Sequence, residues 1–156
     1  DIKNGSFSIY LSLPLKYFLY PIGLGQDYRF ASSLISAVLA KELAALRRRG
    51  VLIVGSGNNV HNLRMISWQH LNTAGFAFDW AKYADEKMKE YIRDGNHQPL
   101  IDYHLQGKEF QLAIPTPEHY MPMIYALALQ DKEEEINIFN DQAVAGSLAM
   151  TSFKIG

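Results

Sequence analysis

At 156 residues the chain is one domain's worth by the usual prior of roughly 100–200 residues per domain, so two full domains are not expected. Hydrophobic residues make up 48% and charged residues 20%, enough apolar material for a sizeable core and too little charge for a disordered composition. A formal net charge of −1 offers no basic field to a phosphate backbone, and zero cysteines exclude a zinc ribbon, an iron–sulfur cluster and a thiol nucleophile, so any metal must be held by His, Asp and Glu.

In chain order, the apolar stretch 7–25 carries Pro14, Lys16 and Pro21, which break a membrane-spanning helix. It reads as a buried strand over 8–13 followed by an irregular apolar connection, and no membrane partner is expected. From Leu34 the spacing of Ile35, Val38, Leu39, Leu43 and Leu46 places one apolar stripe on a helix. Arg47, Arg48 and Arg49 complement its negative end, as a solvated helix terminus, and Gly50 sits where a C-terminal cap takes a positive φ. Val51, Leu52, Ile53 and Val54 form a short continuous β-prone run of the kind buried in a parallel sheet. Helix, glycine and buried strand together predict an α/β fold, a mostly parallel sheet with flanking helices.

That strand runs into Gly55-Ser56-Gly57-Asn58-Asn59-Val60-His61-Asn62. In open α/β sheets the loops beyond the carboxyl ends of strands form the ligand crevice. The segment lacks the third glycine of a dinucleotide loop, where Val60 stands, and lacks a serine elbow, since Val54 precedes Ser56 by two. His61 remains as a metal ligand, a general base, or a loop histidine that hydrogen-bonds a turn.

A second helix is expected over 79–93, with Asp79 as N-cap, Trp80, Ala84, Met88, Tyr91 and Ile92 on the inner face, and Lys82, Asp85, Glu86, Lys89 and Glu90 on a solvated one. His97 and His104 lie in polar connections and read as surface histidines, while His70, near Trp68, lines a pocket or simply packs. Pro115, Pro117 and Pro122 stiffen the segment Pro115-Thr116-Pro117-Glu118-His119-Tyr120-Met121-Pro122 and delay a helix to about Pro122. His119 is thereby presented from a rigid support, as a ligand or catalytic group or as a space-filler with Tyr120. After a charged turn at 132–135, strands are expected over 136–139 and 150–155.

Taken together, residues 41–47 and 51–64, Phe78-Asp79-Trp80, the proline segment at 115–122 and Gly146-Ser147-Leu148-Ala149-Met150 resemble the DODA-type class III extradiol aromatic ring-opening dioxygenases. The resemblance covers 41–156 and joins several motifs in one order. It implies the C-terminal part of that fold, with 1–40 as an atypical leader, and a non-haem site with one divalent metal ion, Zn or Fe(II). It further implies O₂ as co-substrate, a catechol such as dihydroxyphenylalanine as substrate, and a cytoplasmic oxidoreductase. The carry-over falls on His61 and His119, each a ligand or an acid/base. The family's other metal-binding histidines have no counterpart, because no His precedes His61. The resemblance therefore points to an incomplete chain whose partner is the missing N-terminal half or a second copy. The alternative is a non-catalytic α/β domain or degenerate paralogue that binds a metal or a partner. A small hydrolase is disfavoured, since no acidic residue is spaced to orient His61 and no serine elbow exists.

Overall fold

The computed structural model describes residues 43–156 and the backbone of residues 8–10. The apolar stretch 7–25, the start of the helix predicted from Leu34 and the leader at 1–40 otherwise lie outside the described residues. Residues 43–47 end a helix through hydrogen bonds from Gly50 N to Arg47 O and from Val51 N to Leu46 O, with Gly50 at φ 81°, so the predicted glycine cap forms. Strand β2 (Leu52–Val54) follows and pairs in parallel with β1 (Ser8–Tyr10), Ile9 opposite Ile53. Two 3₁₀ turns at Leu63–Met65 and Trp68–His70 lead to α1 (Asp79–Arg93).

Helix α1 carries the core. Ala81, Ala84, Met88 and Ile92 are buried at three- and four-residue spacing against Leu100 of α2 (Gln98–Ile101) and Phe110 and Ala113 of α3 (Lys108–Ala113). Val60, Tyr120 and α4 (Met121–Leu127) close the same core from the other side. Strands β3 (Ile136–Phe139) and β6 (Ser152–Ile155) pair antiparallel, and the alternation of β3 turns Ile136 and Ile138 toward the core and leaves Asn137 and Phe139 exposed. Between them β4 (Ala143–Val144) and β5 (Leu148–Ala149) form a second, two-residue antiparallel pair. Among the described residues no helix is long and apolar enough to cross a membrane.

Several expectations change. The fold mixes helix and strand as predicted, but among the described residues one strand pair is parallel and two are antiparallel, so the mostly parallel sheet is seen only at β1–β2. The N-cap of α1 is Phe78, with no side-chain cap, and Asp79 is the first helical residue. The polar face of α1 is not simply solvated: Lys89 is 2% exposed and meets Asp85 at 3.0 Å, Glu86 at 2.8 Å and Asp141 at 2.7 Å. Periodicity could not reveal this, because Asp141 arrives from 52 residues away. Arg48 and Arg49 are exposed as expected, whereas Arg47 is half-buried and grips the Glu134 carboxylate with both guanidinium nitrogens. His97 and His104 are also half-buried, each with Nε2 enclosed and without a partner.

Candidate active site

The loop after β2 is held by its asparagines, and that is what fixes His61. Asn58 donates its side-chain amide to Ala149 O at 2.7 Å, Asn59 to Asp85 Oδ1 at 2.8 Å and Asn62 to Leu112 O at 2.8 Å. Between them Val60 is fully buried in the core. The backbone of His61 donates to Ala113 O at 2.9 Å and bridges Leu148, and Ser147 Oγ donates to Asn62 O at 2.8 Å. The three side-chain amides are therefore spent on anchoring the loop. They make the position of His61 rigid and leave its ring free.

His119 is anchored from both sides. Pro117 is buried and its carbonyl accepts from Tyr120 N and Met121 N, while Tyr120 is fully buried and donates its hydroxyl to Leu100 O at 2.8 Å. The Tyr120 ring packs 5.0 Å from that of Tyr103. Exposed His119 is thus carried between two buried neighbours just ahead of α4, as the prolines predicted.

The two segments touch through glycine. A Cβ on Gly57 would overlap the His119 carbonyl oxygen, and one on Gly55 would lie 2.8 Å from the Pro122 carbonyl oxygen. Backbone packs directly on backbone here, which only a residue without a side chain permits. The consequence is that the His61 and His119 rings face each other with centroids 5.1 Å apart, tilted by 44°.

His61 is 5% exposed, and neither Nδ1 nor Nε2 has a well-aligned hydrogen-bond partner. Burial, then the neighbouring His119, pushes its pKa below the ordinary histidine value, although backbone groups of Thr116 and Asn58 lie near enough to oppose this. The ring is consequently neutral at pH 7, with a lone pair available. His119 opens onto a cleft of about 580 Å³ lined by Gly55, Ser56, Gly57, Asn58, Glu118, Pro122, Met150, Thr151 and Ser152. His61 lies behind this wall. A neutral imidazole with unpartnered nitrogens fits a divalent metal or a proton to be taken, and His119 fits the same chemistry from the cleft side. Among the described residues no group of three or more His, Asp and Glu side chains is arranged to hold a metal ion.

The chain is 37% identical over 121 residues to a 4,5-DOPA dioxygenase extradiol of Escherichia coli K12, covering 76% of this chain and 43% of the relative. It belongs to the DODA-type extradiol dioxygenase family. Proteins of the same name from Beta vulgaris and Portulaca grandiflora are each 26% identical, matching 74% of this chain and 42% of theirs. The solved structure of an uncharacterized protein, JW3007 of E. coli K12, superposes with a TM-score of 0.67 at 36% identity, covering 76% of this chain and 48% of that one. No protein-family model matches the chain. The chain spans less than half the length of the curated relatives it matches.

Of the histidines singled out in the sequence, the structure brings His61 and His119 together. His70 instead accepts or donates at Ser67 Oγ, 2.7 Å away, and stacks on Phe76 at 3.8 Å. Two residues with a bearing on the site escaped the sequence reading. Asp85 Oδ1 accepts from both Asn59 and Thr151, at 2.8 Å each, and so ties the His61 loop to the far wall of the cleft. Glu118, quoted only as part of a motif, lines the cleft itself.

Proposed function

We propose that the chain contributes the His61–His119 part of an extradiol ring-opening site that acts on a catechol such as dihydroxyphenylalanine. The observation that carries this is the facing pair of imidazoles, one buried with both nitrogens unpartnered and the other opening onto a cleft. In such a reaction the ring carbon–carbon bond beside the diol breaks and both atoms of O₂ enter the product, so no outside reductant is needed. A divalent ion, Zn²⁺ or Fe²⁺, would be held with His119 among its ligands, and when bound it would supply charge that lowers the pKa of the diol and a meeting place for O₂. His61, kept neutral by burial, takes a hydroxyl proton from the diol as general base. The anchoring asparagines and the Gly57 contact keep the two rings from moving apart during that transfer. His119 alone falls short of the three protein ligands usual in open catalytic sites, and the remaining ligands would come from the part of the E. coli relative that the match does not cover.

Isothermal titration with Zn²⁺ tests the division of roles. Weak binding is expected, lost in His119→Ala and retained in His61→Ala. Binding that both variants leave unchanged places the metal elsewhere and defeats the proposal.

A further inference from the structure

We infer that Asp85 is a positioning residue for His61: its carboxylate joins helix α1, the His61 loop and the far wall of the cleft at one point, and so sets where the imidazole sits. As a role in catalysis this rests on the reading of His61 as a base; as geometry it does not. The carboxylate takes a donor from each of three parts of the chain. Oδ1 accepts from Asn59 Nδ2 and from Thr151 Oγ1 at 2.8 Å each, and Oδ2 meets Lys89 Nζ at 3.0 Å. The Asp85 side chain is 14% exposed and that of Lys89 2%, so the junction is enclosed. Lys89 is held further by Glu86 and Asp141, and its ammonium is not free to swing away.

Two features show that the loop answers to this carboxylate. The first is Asn59, which is 5% exposed and, while its amide nitrogen is bound to Asp85, has its Oδ1 enclosed without a partner. An orphaned acceptor is unfavourable, yet turning the amide over would only bring that oxygen against the carboxylate. Asp85 therefore dictates the orientation of Asn59, just ahead of His61. The second is the imidazole itself. Neither ring nitrogen has a well-aligned hydrogen bond, so the ring is placed by the backbone that carries it. That backbone is fixed at Val60, whose carbonyl accepts from Ala149 N at 3.1 Å, and beside it Asn58 donates its amide to Ala149 O at 2.7 Å. Thr151 follows Ala149 closely in the chain. Asp85 thus closes a ring, holding Asn59 directly and, through Thr151, the segment to which the residues on either side of Asn59 are bonded. A loosened Asp85 loosens His61, and a misplacement of about 1 Å can cost about 10²-fold in rate.

The test reads ring geometry by NMR in the histidine-labelled chain, with neither metal nor catechol added. In the unsubstituted chain a ring-to-ring nuclear Overhauser cross-peak joins His61 and His119, while His70, stacked on Phe76 at 3.8 Å, serves as a histidine outside the network. Asp85→Asn sets an amide nitrogen against one of the three donors, and Thr151→Val deletes one of them. Each should cut the cross-peak by about half, as a displacement of about 0.6 Å does for an inverse-sixth-power signal, and should shift the His61 ring signals while those of His70 stay. Thr151→Ser keeps the hydroxyl and should restore both. Ile92→Val, a core truncation on the same helix, should lower stability and move neither, which separates positioning from general weakening. A cross-peak of full strength in Asp85→Asn and Thr151→Val overturns the inference; if Asp85→Asn does not fold, the two Thr151 variants decide. With the unmatched part of the E. coli relative supplied as a separate polypeptide, Asp85→Asn should keep metal and lower turnover by about tenfold or more. If His61→Ala leaves turnover unchanged there, the base reading fails and the catalytic role of Asp85 with it, while the cross-peak result stands.

Discussion

Lys89 sits at the junction between helix α1 and the His61 loop, and replacing it with Met exposes how that junction is held. The ammonium is 2% exposed, yet its pKa is raised, because Asp141, Glu86 and Asp85 together outweigh the cost of burial. Lys89→Met keeps the stem packed but strands Asp85, whose side chain is 14% exposed. Removing one partner of a buried pair costs about 3–5 kcal/mol. Two of the three carboxylates here, Glu86 at 56% and Asp141 at 45%, can regain water, and Asp85 keeps its donors Asn59 and Thr151. The expected loss is therefore smaller, about 2–3 kcal/mol, against a usual total of roughly 5–15 kcal/mol. For a domain of this size that lowers Tm by about 4–12 °C. Urea unfolding of the single variant beside Asp85→Asn/Lys89→Met measures it, and the double variant should recover about 1 kcal/mol or more, since the stranded charge is gone. A single variant within about 0.5 kcal/mol of the parent would show that the cluster is solvated and that the buried-charge argument fails.

Further outcomes follow from the site. His61 has its folded pKa below the unfolded value of about 6.5, so the unfolded chain binds more protons between the two values, and stability is full above about pH 6.5 and falls as pH drops toward the lowered folded value. His97 acts in the same direction through burial, so His61→Gln should flatten but not abolish the acid slope in urea midpoints, and an unchanged slope would contradict the burial of the His61 ring. Gly57→Ala forces apart two backbone segments that no rotamer change can relieve, and should cost about 1–3 kcal/mol together with the Zn²⁺ binding of the chain, whereas Ser56→Ala, on an exposed neighbour, should leave both nearly unchanged. Native-like Zn²⁺ titration in Gly57→Ala would mean that the two segments are not coupled.

Local patterns made the helix at 79–93, the strand character of β2, the Gly50 cap and the delayed start of α4 legible, because each depends on residues within a few positions. The burial expected of the β2 run is not seen: Leu52 is 59% exposed and Ile53 and Val54 are half-buried, since burial depends on what packs over the strand from elsewhere. The pairing of His61 with His119 was reachable through family resemblance alone, since the contact that enforces it, Gly57 against the His119 carbonyl, joins segments 62 positions apart and leaves no periodic trace. The anchoring role of the asparagines at 58, 59 and 62 was not legible, because polarity in a glycine loop marks either function or anchoring, and only the partners Ala149, Asp85 and Leu112 distinguish the two. Lys89 was misread for the same reason. A helix face looks solvated until Asp141 arrives from another element, and the β3–β6 pair likewise joins short segments separated in the chain, whose pairing the sequence does not name.

The central claim is that His61 and His119 act together in extradiol ring opening. Its most direct test supplies, as a separate polypeptide, the part of the E. coli relative outside the matched stretch, with Fe²⁺, O₂ and dihydroxyphenylalanine, and follows O₂ uptake beside the visible absorbance of the semialdehyde product. The reconstituted pair should consume O₂ and form product in step, His119→Ala should lose metal and turnover together, and His61→Ala should keep metal while losing turnover. Product formation that survives both substitutions would contradict the account.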